Sequence, residues 1–235
     1  MPSAPVEHDF HDRAALAEAL AAAVADKLRV GIAARGTAVL ALSGGTTPAL
    51  FLRRLAQQPL VWSQVVVTLC DERWVAPTHE RSNARLLFEN LLQGAAAAAR
   101  FEPLFADAPE PEAVLEQITT RIDALPASFD AVVLGLGLDG HIASLFPGGD
   151  RLAQALDPYG AARVLPIRAP DAGEVRITLT LPVLAAARNL YLQIEGAEKQ
   201  AVFERIVRGE GIMAASPLRA LMQHATAPLE VYWSA

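Results

Sequence analysis

The stretch that decides the fold is Thr37-Ala-Val-Leu-Ala-Leu-Ser-Gly-Gly-Thr-Thr-Pro48. Its first six residues form a short apolar run that predicts a buried strand. Pro48 predicts the first turn of a helix, where a missing N–H group costs nothing. A strand that leads through a tight glycine turn into a helix is the repeating unit of a parallel sheet. We therefore expect an α/β fold whose ligand sites lie beyond the carboxyl ends of its strands.

The rest of the chain repeats this alternation of short β-branched runs and longer amphipathic segments, without internal repeats or Gly/Ser-rich linkers. The sequence therefore predicts one domain over residues 1–235, with a mainly parallel sheet flanked by helices on both faces. The predicted strands are 37–42, 64–70, 130–134, 163–167 and 190–194, with a last run at 229–233. The predicted helices are 12–34, one opened by Pro48, one from an N-cap at Ser82 through Leu92, 111–124, 196–208 and 216–224.

Composition limits the partners and the compartment. The chain has 235 residues, of which 52% are hydrophobic and 20% charged, so it can bury a full core. Its net charge is −6 and no segment clusters Lys and Arg, so we expect no nucleic-acid partner. The single cysteine, Cys70, ends an apolar run and is expected to be a small buried residue.

The first twelve residues lack the cationic start and apolar core of a signal peptide. No uncharged apolar run of about 18 residues predicts a membrane span, so we expect a cytoplasmic protein without a membrane partner. His8 and His11 fall in this terminus, which we predict to be mobile.

Three loops that follow predicted strands carry polar residues. In the first, Ser43–Thr47, two glycines allow close backbone approach, hydroxyl groups add donors, and a helix N-terminus follows. Such a loop favours a phosphate, although an ordinary tight turn also uses Gly, Ser and Thr. The second loop is Asp71-Glu-Arg-Trp74, whose residues are poor turn formers. It indicates either a ligand site or a structural ion pair.

The third loop contains Gly135, Gly137 and Gly140 at the spacing of a dinucleotide-binding turn. A dinucleotide site also needs a helix of some length and an acidic residue about 20 positions on, at the end of a strand. Here Pro147 stops any helix that begins at His141, and no strand ends in Asp or Glu near residue 157. The dinucleotide interpretation is therefore excluded.

Asp139 and His141 stand two residues apart in this glycine-framed turn, so both can face one cleft. Histidine titrates near neutral pH, which suits proton transfer. An aspartate–histidine pair can also be purely structural, and the residues alone leave both interpretations open. Two later cations, Arg176 and Lys199, are compatible with an anion site but alone predict only solvated side chains. The remaining histidines have no ligand spacing, so no metal is expected.

Taken in order, these segments resemble the 6-phosphogluconolactonase family, which is related in fold to the glucosamine-6-phosphate deaminases. The matching segments are Leu42–Pro48, Asp71–Trp74 with Ser82 and Asn83, Gly135–Pro147, Arg176–Pro182 and Gly196–Lys199. The resemblance implies a modified Rossmann-like sheet without a nucleotide. It also implies hydrolysis of 6-phospho-D-glucono-1,5-lactone to 6-phospho-D-gluconate, a step of the oxidative pentose phosphate pathway.

The resemblance assigns roles as well. His141 would act as general base, and the phosphate would be held by Arg176, Lys199 and the loop residues Ser43, Gly44, Gly45, Thr46 and Thr47. A lactone is an activated ester, so water needs only deprotonation and orientation, and we expect neither cofactor nor metal. In the manner of a triad carboxylate, Asp139 would orient the imidazole or stabilise its charged form, and our own hypothesis is that Arg73 neutralises the developing oxyanion. The partner would be a small phosphosugar lactone, bound by a monomer or small homo-oligomer.

Two alternatives remain at this stage. A glucosamine-6-phosphate deaminase/isomerase would share the phosphate loop and the Asp-Gly-His turn, but its turn continues through an Asn-Glu-Pro-like segment. Here the continuation is Ala143-Ser-Leu-Phe-Pro147, without an acid until Asp150, which favours the lactonase. A non-catalytic sugar-phosphate sensor usually adds a DNA-binding helical module, and this chain has no basic recognition helix.

Overall fold

The computed structural model describes residues 4–170 and 172–235. The strands are β1 (Val6–Phe10), β2 (Ala38–Leu42), β3 (Val65–Leu69), β4 (Asp71–Arg73), β5 (Arg100–Glu102), β6 (Ala131–Leu134), β7 (Val164–Ile167), β8 (Arg176–Leu179), β9 (Leu190–Glu195) and β10 (Leu229–Ser234). The helices are α1 (Arg13–Arg35), α2 (Ala49–Ala56), α3 (Asn83–Asn90), α4 (Leu115–Asp123), α5 (Leu152–Ala155), α6 (Leu181–Ala185), α7 (Ala197–Arg208) and α8 (Pro217–His224).

Seven of the strands form one parallel sheet in the order β1-β10-β9-β6-β2-β3-β5. The chain runs from β2 outward to β3 and β5, then returns to the other side of β2 as β6. The order of the strands therefore reverses between β2 and β6, and such a switch point opens a crevice beyond the strand ends. The expected parallel sheet flanked by helices is confirmed.

The central strand β2 explains why the deciding stretch is apolar throughout. All five residues of Ala38–Leu42 are buried, since both faces of the strand are covered. β3 is buried in the same way over Val65–Leu69. A half-exposed strand would have alternated apolar and polar residues, so the continuous run correctly indicated an interior position.

The predicted helix boundaries are close to those observed. Asp12 caps α1, and its side chain accepts a hydrogen bond from the backbone N–H of Ala15 at 2.8 Å. Ser82 caps α3 as predicted, accepting from the N–H of Arg85 at 3.2 Å. Pro48 lies one residue before α2 rather than inside its first turn. In the described part of the chain, no helix has the length and apolar character to cross a membrane.

The prediction of a mobile amino terminus was wrong for residues 6–10. They form the edge strand β1, which pairs in parallel with β10. His8 lies opposite Tyr232 in this pairing, and its ring contacts the tyrosine ring with centroids 4.7 Å apart. Its Nε2 also lies 3.2 Å from Glu230 Oε2. Because β1 lies at the edge of the sheet, much of it is exposed to solvent and it can be polar. Its sequence therefore has no apolar run that would predict a strand.

A second, three-stranded sheet in the order β4-β8-β7 was not predicted. Its strands are antiparallel and only three or four residues long. The stretch after residue 175 divides into β8 and the short helix α6, which carries Pro182 in its first turn. The short strand β5 and the helix α5 were also missed. This small sheet carries the loop Asp71–Trp74 to the crevice.

Gly31 allows α1 to lie unusually close to the sheet. A Cβ atom at this position would lie 2.6 Å from Asp130 Oδ1 and 3.0 Å from the Cβ of Ala38. Asp130 cannot move away freely, because its Oδ2 accepts a hydrogen bond from the Val39 N–H at 2.8 Å and its Oδ1 pairs with Arg35. Glycine is required here by close packing, against its poor helix propensity.

We expect Gly31→Ala to lower the free energy of unfolding. Alanine would improve helix propensity by about 1 kcal/mol, but overpacking against a fixed carboxylate costs about 1–3 kcal/mol. Urea denaturation followed by circular dichroism would measure the difference. Ala22→Gly, at an exposed position of the same helix, calibrates the propensity effect alone. A gain in stability for Gly31→Ala equal to the loss in Ala22→Gly would contradict this account.

Candidate active site

A cleft of about 350 Å³ opens at the switch point between β2 and β6. Its walls come from the loops after β2 and β6, the small sheet, and the region where β9 leads into α7. Every residue predicted for the site lines this cleft except Asp139, which contacts it through His141. The lining includes Ser43, Gly44, Gly45, Thr46, Thr47, Arg73, Asn83, His141, Phe146, Arg176, Gln193 and Lys199.

The loop Ser43–Thr47 emerges beside β6 because β2 and β6 are neighbours. The Ser43 N–H donates to the Val133 carbonyl at 3.0 Å, extending the ladder by one bond past the strand end. Gly45 has φ of 98°, a backbone conformation that favours glycine. The loop runs directly into the N-terminus of α2, whose dipole favours an anion. Its position fits the predicted phosphate loop.

Asn83 packs directly against this loop, and the sequence analysis did not include it in the site. A Cβ on Gly44 would lie 1.7 Å from Asn83 Oδ1, so the glycine is needed to admit the amide. The same Oδ1 accepts from Arg73 Nη1 at 2.8 Å, and Nδ2 donates to the Asp71 carbonyl at 2.8 Å. Asn83 therefore links the loop after β2 to the arginine on β4.

The turn after β6 holds the candidate base. The Gly137 N–H donates to the His141 carbonyl at 2.9 Å, and the Gly140 N–H donates to the Gly137 carbonyl at 3.0 Å. Asp139 Oδ1 lies 2.6 Å from His141 Nδ1 and also accepts from the His141 N–H at 3.1 Å. A carboxylate can only accept, so it assigns the proton to Nδ1 and leaves the lone pair on Nε2. The imidazole has the tautomer that a general base requires.

The carboxylate of Asp139 remains ionised beside this ring. Partial burial alone would raise its pKa, but the hydrogen bonds and charge of His141 outweigh that effect, and the pKa lies below its usual value. Gly137 makes the close pair possible, because a Cβ there would lie 2.1 Å from His141 Nδ1. The glycine spacing resembles that of a dinucleotide-binding turn, but here Gly137 leaves room for the aspartate–histidine pair.

Arg73 and Arg176 form a double cation in the wall of the cleft. They lie opposite each other in the antiparallel pairing of β4 with β8. Arg73 Nη1 donates to the Arg81 carbonyl at 2.7 Å, and Arg176 Nη2 donates to the Ala172 carbonyl at 2.6 Å. Both Nε atoms are buried and have no hydrogen-bond partner within the described residues. Two adjacent guanidinium groups of this kind favour an anionic ligand.

Burial also acts on the arginine of β8. It lowers the pKa of Arg176, and the neighbouring Arg73 acts in the same direction while Asp71 opposes it. Glu174 Oε2 is 3.8 Å from its Nη2, which is a weak ion pair. The positive charge of Arg176 is therefore poorly compensated in the absence of a ligand, as expected at a phosphate site.

The alternatives left open for Asp71–Trp74 resolve differently for each residue. Glu72 is a structural residue: its carboxylate accepts from the backbone N–H groups of Asn83 at 2.7 Å and Ala84 at 2.8 Å, at the start of α3. Burial raises its pKa despite these bonds. Trp74 is also structural, since its indole N–H donates to the Ala108 carbonyl at 2.9 Å. Asp71 and Arg73 line the cleft.

The region where β9 leads into α7 closes the remaining side. Gly196, with φ of 88°, ends the strand, and Lys199 lies in the first turn of α7. Gln193 on β9 lines the cleft beside them and was not predicted. Its Nε2 lies 3.2 Å from Glu195 Oε1 and 3.5 Å from the Thr47 carbonyl, so it connects this wall to the loop after β2.

Phe146 is another residue that the sequence analysis missed. Its ring contacts two predicted site residues, with the His141 ring centroid 4.5 Å away and the Arg176 guanidinium carbon 5.6 Å from the ring centre. Phe146 lies in the segment between His141 and Pro147, which was matched to the family. Its apolar side chain has no reactive group, so nothing in the sequence indicated a role in the site. Asn83, by contrast, followed the predicted cap Ser82 and could have been placed near the loop.

Comparison with known proteins agrees with this geometry. The family described as "Glucosamine-6-phosphate isomerases/6-phosphogluconolactonase" matches residues 11–233. The chain belongs to this family. A 6-phosphogluconolactonase of Rhizobium meliloti (strain 1021) is 48% identical over 227 residues, covering 97% of each chain. One of Mesorhizobium japonicum is 47% identical over 225 residues, covering 96% of this chain and 93% of the relative.

Among solved structures, a 6-phosphogluconolactonase from Shewanella baltica OS155 superposes with a TM-score of 0.94 at 35% identity, covering 100% of both chains. The family membership confirms the resemblance drawn from the ordered segments, and with it the expectation that the chain is an enzyme.

We expect Gly44→Ala to destabilise the protein and to displace Asn83 from the loop. The added methyl group would overlap the amide at 1.7 Å, an overlap that requires Asn83 to leave its bonds with Arg73 and Asp71. Such overpacking costs about 1–3 kcal/mol. Thermal and urea unfolding would measure the loss.

Gly135→Ala is the matched control for that measurement. It lies at the end of β6 in the same cleft, and a Cβ there meets no atom within 4 Å. Its unfolding free energy should stay equal or rise by a few tenths of a kcal/mol, since alanine restricts the unfolded chain. Equal destabilisation by both substitutions would show that the contact with Asn83 is unimportant.

Proposed function

We propose that this protein hydrolyses 6-phospho-D-glucono-1,5-lactone to 6-phospho-D-gluconate, with His141 as general base. The observation that carries the proposal is the His141–Asp139 pair, which in the neutral imidazole places the lone pair on Nε2, in a cleft lined by Arg73, Arg176 and Lys199. The substrate is that named in the closely similar relatives.

The chemistry follows from these groups. His141 Nε2 removes a proton from water as its oxygen attacks the lactone carbonyl carbon, and a tetrahedral oxyanion forms. The bond to the ring oxygen then breaks, and the imidazolium returns its proton to that oxygen. Asp139 holds the ring in the required tautomer and stabilises the imidazolium. Arg73, in the same cleft, neutralises the oxyanion charge.

Binding of the phosphate supplies the orientation. Arg176, Lys199 and the loop Ser43–Thr47 line the same cleft from three different segments of the chain. A dianion anchored there fixes the far end of the sugar, so the carbonyl is presented to His141 without a covalent intermediate. No step requires a metal or a cofactor.

The carboxylates near the cleft also favour hydrolysis over deamination. Asp71 is the one acid among the described residues that line it, and its Oδ2 accepts a hydrogen bond from Ser144 Oγ at 2.5 Å. The segment that follows His141 contributes Phe146 to the cleft where an acid would be needed for ring opening.

Other expectations remain part of this proposal. We propose that residues 1–235 form one domain, that the protein acts in the cytoplasm as a monomer or small homo-oligomer, and that it binds the phosphosugar lactone rather than nucleic acid. Light scattering after size exclusion would determine the oligomeric state.

The decisive assay measures hydrolysis of freshly generated lactone above its spontaneous rate, with the acid product coupled to 6-phosphogluconate dehydrogenase. Ammonia release from glucosamine 6-phosphate is measured in parallel. We expect acceleration of the first reaction only. Ammonia release would reassign the protein as a deaminase, and phosphosugar binding without either reaction would support a sensor.

His141→Ala should reduce kcat by about a hundredfold or more, because the base is lost. KM should change little, since the phosphate anchor is intact. His224→Ala is the control, since His224 is exposed at the end of α8, away from the cleft. Near-normal turnover in His141→Ala would rule out this mechanism.

Lys199→Met should raise KM about 10- to 100-fold, the effect of losing one charge-assisted hydrogen bond. The value of kcat should fall less than KM rises, because the lysine acts on the non-reacting end of the substrate. Lys27→Met, on the outside of α1, controls for loss of a lysine elsewhere. A fall in kcat at unchanged KM would place Lys199 at the carbonyl instead of the phosphate.

A further inference from the structure

Phe146 occupies an unusual position for a phenylalanine. Phe51, Phe129 and Phe203 are fully buried in the core, but Phe146 is only partly buried and lines the cleft. Its preceding neighbour Leu145 belongs to the core, whereas the ring of Phe146 does not pack against it. An aromatic ring that stays outside the core and faces a polar cleft requires an explanation other than hydrophobic burial.

The ring contacts the candidate base. The His141 and Phe146 ring centroids are 4.5 Å apart, with the planes inclined by 47°. The bond from Nδ1 to Asp139 holds the imidazole at a single point, about which the ring can still tilt. The contact with the Phe146 ring restricts that tilt and fixes the direction in which the Nε2 lone pair points. Proton transfer is sensitive to such orientation.

The same ring also contacts the arginine of β8. The Arg176 guanidinium carbon lies 5.6 Å from the ring centre, over its negatively polarised face. Arg176 Nε has no hydrogen-bond partner in the described part of the chain, so this face is one of few contacts that position the guanidinium. Phe146 therefore touches both the group that accepts a proton and a group that binds the anion.

This arrangement matters during turnover, when both neighbours are positively charged. Proton abstraction converts His141 to an imidazolium, which would repel Arg176 if the two moved together. The Phe146 ring, which contacts both groups, offers an aromatic surface to the imidazolium as well as to the guanidinium.

We propose that Phe146 is a positioning residue, which fixes the orientation of the His141 imidazole and of the Arg176 guanidinium relative to each other. The inference rests on the proposed function, because it assigns His141 as the base. It extends that function by naming the residue that couples the base to the phosphate-binding end of the cleft.

A double-mutant cycle on lactone hydrolysis tests this role, using Phe146→Leu, His141→Ala and the combined variant. Phe146→Leu should lower kcat about tenfold, a loss typical of a misdirected catalytic group, and raise KM severalfold through Arg176. In the His141→Ala background the same substitution should change kcat less than twofold, because the base it orients is absent. Phe146→Tyr keeps the ring faces and should restore most of kcat.

The matched control is Phe88→Leu, which removes a half-exposed phenylalanine that packs on Phe101 away from the cleft. It should leave kcat and KM unchanged. An equal loss of kcat from Phe146→Leu with and without His141 would overturn the proposal, as would full activity in Phe146→Leu.

A readout without substrate separates this inference from the proposed function. The chain has five histidines, and the His141 ring signal in a proton NMR spectrum can be assigned from its absence in His141→Gln. Phe146→Leu should shift this signal and leave the other four in place. A shifted signal in a protein without lactonase activity would overturn only the function, whereas active protein with an unshifted signal would overturn only the role of Phe146.

Discussion

The pairing of β2 with β6 is the constraint on which the site depends. These two strands are far apart in the chain, and they meet only because the sheet is built outward from β2 in one direction and then in the other. Their parallel register places Leu42 opposite Val133, so the glycine loops that follow emerge side by side. The loop of one strand provides a helix N-terminus, and the loop of the other provides a base. A shift of one residue in this register would separate them.

The small antiparallel sheet supplies a pair of long cationic side chains, which the large parallel sheet does not. Parallel strand ends offer backbone N–H groups and short polar side chains, but few positions for two long cations that face each other. The cross-strand pair of Arg73 and Arg176 does this, and Asn83 then connects it to the loop after β2. The buried carboxylate of Glu72 serves this purpose indirectly, because it holds the start of α3 in the place where Asn83 can reach. The polar motif after β3 is therefore part scaffold and part site.

Local signals in the sequence identified the elements that local physics determines. The buried run of β2, the cap Ser82 and the glycines around Asp139 each act within a few residues, and all were placed within one or two positions of their observed sites. The small sheet was not predictable in this way, since its strands are short and β4 pairs with β8 from a distant part of the chain. β1 was missed because an edge strand needs no apolar pattern.

The residues of the site divide in the same way, into those that the sequence identifies and those that depend on distant contacts. Residues with reactive side chains, such as His141 and Lys199, were recognisable from their type and from the resemblance. Phe146 and Gln193 were not, because their contribution consists of contacts with residues far away in the chain. A phenylalanine near a proline is ordinary until the structure brings Arg176, thirty residues later, over its ring. Reactive residues can be inferred from their type, but the residues that position them can be identified only from tertiary contacts.

The position of β1 at the edge of the sheet affects how the protein folds during its synthesis on the ribosome. Among the described strands β1 pairs with β10 alone, so residues 6–10 are synthesised long before residues 229–234, with which they pair. Helix α1, which follows β1, contacts β10 as well as β2 and α2, so a part of its buried face is uncovered until β10 has been made. A chain that stalls before Leu229 leaves this part of α1 open to solvent, where chaperones and proteases recognise apolar surface. Translation must pass this point before the fold can close.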